Sequence, residues 1–194
     1  IRDRWIGSLI NYGVEAQPFL MGIIVSVLMG MALTLPISSA AIGISLGLSG
    51  IAAGAAAVGC CAQMVGFAVM SFRENRWGGL VSQGIGTSML QMSNIIRNPL
   101  IWLPPIFASA VLGPVSTCIF KMVNNATGSG MGTAGLVGQF MGYNAMTEAG
   151  VAPAIALIEM AVMHFIAPAL LCFIVCEGMR KLKLIKPGDL KLEV

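Results

Sequence analysis

The sequence predicts an all-α, polytopic membrane protein, with about four transmembrane helices plus re-entrant or broken-helix segments. Three observations predict it. Of the 194 residues, 57% are apolar and only 10% are charged, where a soluble domain carries about 25%. Residues 16–72 contain no charge at all, and roughly 20 apolar residues already cross a bilayer. The remaining charges gather between apolar runs, where membrane topology needs them. This composition excludes a soluble enzyme, a nucleic-acid binder and a disordered chain. Residues 1–194 read as a single membrane domain, ending in a basic cytoplasmic tail over 177–194. Because the first residue is Ile1 rather than Met, the expectation is part of a longer chain.

Residues 1–17 form a polar approach with Arg2, Asp3, Arg4, Trp5, Tyr12 and Glu15. Pro18 suits the first turn of a helix, and an apolar span runs from there to about residue 35. Pro36 ends or kinks it. The stretch 36–43 is small and semi-polar, so it reads as a turn or broken helix facing protein or water. A second span covers about residues 50–72, where Gly50 and Gly54 have the spacing that lets helices approach closely. Arg73-Glu-Asn-Arg76-Trp77 marks a membrane-surface junction.

Residues 77–96 are uncharged yet only half apolar. On a continuous helix, Gln83, Thr87, Gln91, Asn94 and Asn98 fall within an arc of about 80°. Val81, Ile85, Met89, Met92 and Ile96 fall opposite. Two readings stand side by side: an interfacial helix with its amides in water, or a helix or re-entrant hairpin whose amide stripe lines a polar cavity. Interfacial helices are commonly rich in Lys and Arg, and none lies between Arg76 and Arg97. A charge-free stripe suits a neutral, multiply hydroxylated ligand.

A third span covers about residues 99–120. Pro104, Pro105 and Pro114 predict a kinked or discontinuous helix there. Its Leu103-Pro-Pro-Ile-Phe-Ala-Ser-Ala-Val-Leu-Gly113 loosely echoes Leu35-Pro-Ile-Ser-Ser-Ala-Ala-Ile-Gly43, as matching broken helices do in transporter repeats. Residues 121–150 hold Lys121, Asn124, Asn125, Thr127 and Ser129, with six glycines over 128–142. A fourth span follows over about 151–176, with Pro153 near its start and Pro168 inside, and then the basic tail. Four spans place residues 1–17, 73–97 and the tail on one side, with ten of the 11 Lys and Arg residues. Only Lys121 lies opposite. The positive-inside rule then sets both ends of this fragment in the cytoplasm, in a multi-pass protein of the cell membrane.

Gly130-Met-Gly132-Thr-Ala-Gly135 matches GxGxxG, but a dinucleotide fold needs a preceding strand that this chain lacks. The glycines predict either exposed backbone N–H groups at a substrate, followed by a helix N-terminus, or a flexible external loop. Glu159 and His164 are the ionisable side chains inside the spans. They either form hydrogen-bonded structural groups or face a cavity. Glu148, in Met146-Thr-Glu-Ala-Gly150, either caps the last helix or accepts hydrogen bonds from a ligand hydroxyl. Cys60, Cys61, Cys118, Cys172 and Cys176 lie in apolar runs and read as packing residues. No catalytic set, metal cluster or cofactor motif is expected, so phosphoryl chemistry has to come from another domain or chain.

Several motifs stand in a familiar order. Leu35-Pro-Ile-Ser-Ser-Ala-Ala-Ile-Gly43, Arg73-Glu-Asn-Arg-Trp-Gly-Gly79 and Ser93-Asn-Ile-Ile-Arg-Asn-Pro99 precede Leu103-Pro-Pro105. Asn124-Asn-Ala-Thr-Gly-Ser-Gly130 then leads into Gly138-Gln-Phe-Met-Gly142. Together they resemble the IIC-type membrane component of the bacterial phosphoenolpyruvate-dependent sugar phosphotransferase system, in its toxin-regulator-like branch and over the C-terminal part of a member. The resemblance implies an inner-membrane sugar permease whose sugar is phosphorylated by cytoplasmic IIB and IIA partners. Membrane lipid and a second copy of the chain are further expected partners. Other branches carry Thr-Glu-Pro, whose Glu contacts sugar hydroxyls; here the matching Thr147-Glu148 is followed by Ala149.

The expectation is therefore a permease subunit for a neutral sugar. The candidate ligand residues are Gln83, Thr87, Gln91, Asn94, Asn98, Asn124, Asn125, Glu148, Glu159 and His164. The alternatives are a membrane-bound regulator that binds without transporting, and an assembly subunit whose glycine faces serve packing alone.

Overall fold

The structure, a computed structural model, describes residues 2–192; Ile1, Glu193 and Val194 lie outside it. Helices account for the architecture, and among the described residues the one β-type pairing is an isolated bridge between Gly50 and Asn124. In chain order the helices are α1 (Arg2–Ala16), α2 (Pro18–Thr34), α3 (Ser39–Leu46), α4 (Gly50–Met70), α5 (Phe72–Val81) and α6 (Met92–Arg97). They continue as α7 (Leu103–Pro114), α8 (Ala126–Ser129), α9 (Val137–Glu148), α10 (Pro153–Met160) and α11 (Ala167–Lys181).

Three helical stretches are long and apolar enough to cross a membrane: Gly50–Met70, Pro99–Phe120 and Pro153–Lys181. The first is α4, and it stands inside the others, with 94% of its apolar window buried. Its alanines and glycines are the reason. Lipid is as apolar as a helix face, so association within a bilayer rests on close packing, which small residues permit. A Cβ on Gly59 would run into the Ser26 carbonyl of α2, and one on Gly113 of α7 into the Gly22 carbonyl. Of the expected Gly50 and Gly54 pair, only Gly54 serves a close approach, against the Met122 carbonyl. Gly50 has φ +58 and open space around it, and makes the turn into α4.

Of the two forms expected for Pro99–Phe120, kinked or discontinuous, the structure has one unbroken stretch that passes from a 3-10 turn through α7 into a π turn. Pro104 and Pro105 sit in the first turn of α7, where a missing N–H costs nothing. Pro114 ends α7 in helical conformation, and a π turn, Val115–Phe120, follows directly. The last stretch likewise passes through a π turn, Ala161–Ile166, ahead of Pro168 and runs on to Lys181. The expected echo between residues 35–43 and 103–113 has no structural counterpart. One copy is a turn leading into α3, and the other lies wholly within α7.

The shorter apolar helix α2 has 17 residues and takes a different course from the long ones. It begins beside the end of the third stretch, where Thr117 Oγ1 donates to the Pro18 carbonyl at 2.7 Å. It ends at Thr34, which donates to Gln63 Oε1 at 3.0 Å, seven positions and about two turns short of the end of α4. The chain then turns back. Ser38 caps α3 by accepting from the Ala41 N–H, and Leu48 and Gly50 return to the level of Asn124. Helices α2 and α3 thus form a hairpin that enters and leaves at the same end of the molecule.

Helix α1 docks at that end too. Asn11 Nδ2 donates to the Gly47 carbonyl at 3.1 Å, and Asn11 Oδ1 accepts from the Ser49 N–H at 3.2 Å. This corrects the grouping of residues 1–17 with the tail, because the tail lies at the opposite end. The reason is the hairpin: a segment that returns does not change sides, and hydropathy counted it as a crossing. Arg73, Arg76, Arg97 and the five basic residues of 180–191 remain at the tail end, facing away from α1 and Lys121.

Candidate functional site

A second hairpin, over residues 122–149, enters from the same end as the first. The Asn124 N–H bonds the Gly50 carbonyl at 3.2 Å. Its side chain donates to the Gly138 carbonyl at 3.0 Å and accepts from the Asn125 N–H at 2.8 Å. Asn125 Oδ1 caps α8 by accepting from the Gly128 N–H at 2.9 Å. The chain then descends along α4. Ser39 Oγ donates to the Gly130 carbonyl, Gly132 backs onto Cys60 and Cys61, and Thr133 Oγ1 stands 3.5 Å from Met64 Sδ. The tip is the tight turn Ala134–Leu136, from which α9 climbs back to Glu148.

The glycines therefore serve a packed hairpin and not a flexible external loop. Gly132 and Gly135 have φ +55 and +56, the left-handed values that turn the tip. The N–H groups expected to face a substrate are used within it. Those of Gly130, Met131, Ala134, Leu136 and Gly138 bond carbonyls of residues 127–133.

A third broken segment comes from the tail end. Residues 77–96 do not form the continuous helix expected. Helix α5 has a break at Arg76 (φ 53, ψ −146), then a π turn spans Ser82–Gly86. Thr87 is extended (φ −157, ψ 142), a short 3-10 turn covers Ser88–Gln91, and α6 follows. Ser88 Oγ meets Thr34 Oγ1 at 2.9 Å at the tip of the first hairpin, and the turn Ser82–Gly86 touches the tip of the second. All three broken segments converge beside the middle of α4.

At that convergence stands Gln63, fully buried. Its Oε1 accepts from Thr34 Oγ1 and, at 2.8 Å, from the Trp102 indole N–H. Its Nε2 is buried with no partner among the described residues. Sequence reading missed Gln63, although it is the one carboxamide inside α4. A lone polar group in an otherwise apolar span was the available signal.

The amide residues take other roles than one stripe. Thr87 Oγ1 caps the 3-10 turn by accepting from the Met89 N–H. Gln83 donates to Ser71 Oγ (2.8 Å) and the Gly79 carbonyl (3.1 Å), Gln91 donates to Gln83 Oε1 (2.7 Å), and Asn94 donates to Gln91 Oε1 (2.8 Å). Gln91, Asn94 and Asn98 also donate to carbonyls of the tail. Gln83, Gln91 and Asn94 are buried, Asn98 is half-buried, and all four are hydrogen-bonded to protein groups instead of forming one open stripe.

Asn124, Asn125 and Glu148 do come together. With Ser49 and Gly50 they line a cavity of about 480 Å³ at the end opposite the tail. Glu148 is the last residue of α9 and is exposed. It does not cap the last helix, whose N-cap position is Ala152. Its carboxylate and the Ser49 hydroxyl have no hydrogen-bond partner among the described residues, which leaves two free groups suited to hydroxyls.

His164 is buried in the π turn, with Nδ1 at 2.9 Å from Gln139 Nε2, which also reaches Cys61 Sγ at 3.3 Å. Gln139 Oε1 has no partner among the described residues. Gln139 also lines a second cavity of about 580 Å³ with Phe140, Tyr143 and Asn144. Glu159 stands apart from His164, its Oε2 buried without a partner. Among the described residues no group of three or more His, Cys, Asp or Glu side chains is placed to hold a metal.

Compared with known families, the chain matches the one described as "Phosphotransferase system, EIIC" over residues 3–192. No curated protein and no solved structure matches it.

Proposed function

The chain belongs to the phosphotransferase system EIIC family, and from that premise we propose that it is a permease for a neutral sugar, coupled to phosphorylation by a cytoplasmic partner. The observation that carries this reading is the meeting of three broken segments beside Gln63. Irregular backbone at membrane depth is tolerated where it is enclosed by protein, and transporters place their substrate between such discontinuous helices.

The sugar arrives at the cavity of Ser49, Asn125 and Glu148. A carboxylate accepts strongly from hydroxyls, and the Asn125 amide and Ser49 hydroxyl add donors and acceptors. From there the path follows α9 along the second hairpin to the convergence at Gln63. The eight cations at the tail end support a cytoplasmic position for that end under the positive-inside rule. There a phosphorylated partner receives the sugar and supplies the phosphoryl group.

The test is uptake by proteoliposomes containing the full-length protein, with and without the phosphorylating partner components. Sugar retained in proportion to active partner supports the permease. Saturable binding without uptake replaces it with a membrane-bound regulator.

A further inference from the structure

The segment that follows α11 runs back over the tail end instead of leaving it. Ile185 and Leu190 are 1% and 0% exposed, packed with Phe67, Met70, Ile95 and Met179. Between and around these two anchors the chain is irregular, with turns and no helix.

Its main chain is read by carboxamides. Asn75 donates to the Leu190 carbonyl and accepts from the Leu192 N–H, both at 2.8 Å. One carboxamide thus satisfies both a carbonyl and an N–H of the segment, two positions apart. Gln91 Nε2 donates to the same Leu190 carbonyl at 3.0 Å, and Asn94 Nδ2 to the Lys191 carbonyl at 2.9 Å. Asn98 Nδ2 reaches the Leu184 carbonyl (3.2 Å) and Asp189 Oδ2 (2.8 Å), and that carboxylate also accepts from the Lys186 N–H at 2.8 Å.

Two further features give this clasp a consequence. Gln91, Asn94 and Asn98 of the clasp belong to the broken segment whose Ser88 bonds Thr34 at one hairpin tip, and whose turn Ser82–Gly86 touches the other. Behind the strap lies a cavity of about 510 Å³, walled by Glu74, Asn75, Ser82 and Leu90 together with Lys191 and Leu192 of the strap itself.

We propose that residues 182–192 are a displaceable strap. Seated in the clasp, it closes the tail-end cavity and holds the 82–98 segment against the hairpin tips; unseated, it frees both. This holds whether or not the protein moves a sugar, so its failure and that of the permease reading are separable. A carboxamide clasp suits such a device because it binds backbone without charge, and the two buried anchors are small enough to withdraw together.

The experiment is amide hydrogen exchange on the full chain in lipid nanodiscs. Leu190→Asp removes one anchor. Exchange over 82–98 and at 134–136 is expected to rise at least tenfold while α4 stays protected. Asn75→Ala, which leaves both anchors, is the milder second variant and should give a smaller rise in the same peptides. Removing everything after Lys181 should raise exchange in the same peptides, and adding a synthetic peptide of residues 182–192 should restore protection. Unchanged exchange over 82–98 overturns the proposal. So does an equal rise through α4, which makes the segment an inseparable piece of the core, and so does failure of the added peptide to restore protection to a truncated but folded protein.

Discussion

Thr34 and Ser88 meet hydroxyl to hydroxyl at 2.9 Å, though they lie 54 positions apart in the chain. Thr34 has one proton and gives it to Gln63 Oε1, so Ser88 is the donor in their contact. The same oxygen takes the Trp102 indole N–H. One carboxamide therefore ties a hairpin tip, the central helix, the tail-end segment and the approach to α7. The arrangement leads to four expectations.

Gln63→Leu removes the acceptor of the Thr34 hydroxyl and of the half-buried Trp102 indole; the hydroxyl can turn its proton to Ser88, and the indole N–H is left unmade. The expected loss is about 1–3 kcal/mol, the cost of leaving a donor unmade. Thermal unfolding in detergent reads it. A midpoint equal to the wild type's would show that water replaces the lost acceptor at no cost.

Gly59→Ala and Gly178→Ala should move stability in opposite directions. At Gly59 the new methyl meets the Ser26 backbone, and overpacking of this kind costs about 1–3 kcal/mol or more. Gly178 lies within α11 with nothing in reach of its Cβ, so alanine should add about 0.5–1 kcal/mol of helix stability. Denaturant midpoints for the two variants decide the matter. A loss at Gly178 would refute its reading as an open helix position, and no loss at Gly59 would refute its close packing.

Arg180 and Glu74 form an ion pair at 2.9 Å, with side chains only 11% and 8% exposed. Arg180 also donates to the Met70 carbonyl. Arg180→Met leaves the carboxylate buried and unpaired, at a cost of about 3–5 kcal/mol. Adding Glu74→Met should recover most of that loss. A double-mutant cycle measures the coupling, and additive losses would count against the pair.

Glu148→Gln should leave stability within about 0.5 kcal/mol, because the carboxylate has no partner among the described residues. Sugar binding should weaken by about tenfold, the value of one charge-assisted hydrogen bond of about 1.5 kcal/mol. Calorimetry on the purified protein gives the affinity. An unchanged value would move the sugar's first contact away from this mouth.

Much of the fold was legible before any coordinates. A run of residues apolar enough for lipid is a property of composition and length, so α4, Pro99–Phe120 and Pro153–Lys181 stood out in the sequence. The break after α2 was visible in Pro36 and the small residues beyond it. The side to which α2 returns was not visible, because hydropathy reports depth in the bilayer and carries no direction. That is why α1 was grouped with the tail.

The candidate site was legible only in part. Asn124, Asn125 and Glu148 could be named because polar residues near a glycine-rich run are unusual in so apolar a chain. Gln83, Gln91, Asn94 and Asn98 could be named as polar, but not assigned a partner. Their acceptors include the carbonyls of Leu184, Leu190 and Lys191, and a carbonyl is carried by every residue. Composition and hydrophobic period thus settled the environment and the long spans, and Pro36 marked the break after α2. Which broken ends meet, and which amide is satisfied by which backbone, was left to three-dimensional packing, since contacts to main chain leave no mark in the side-chain sequence.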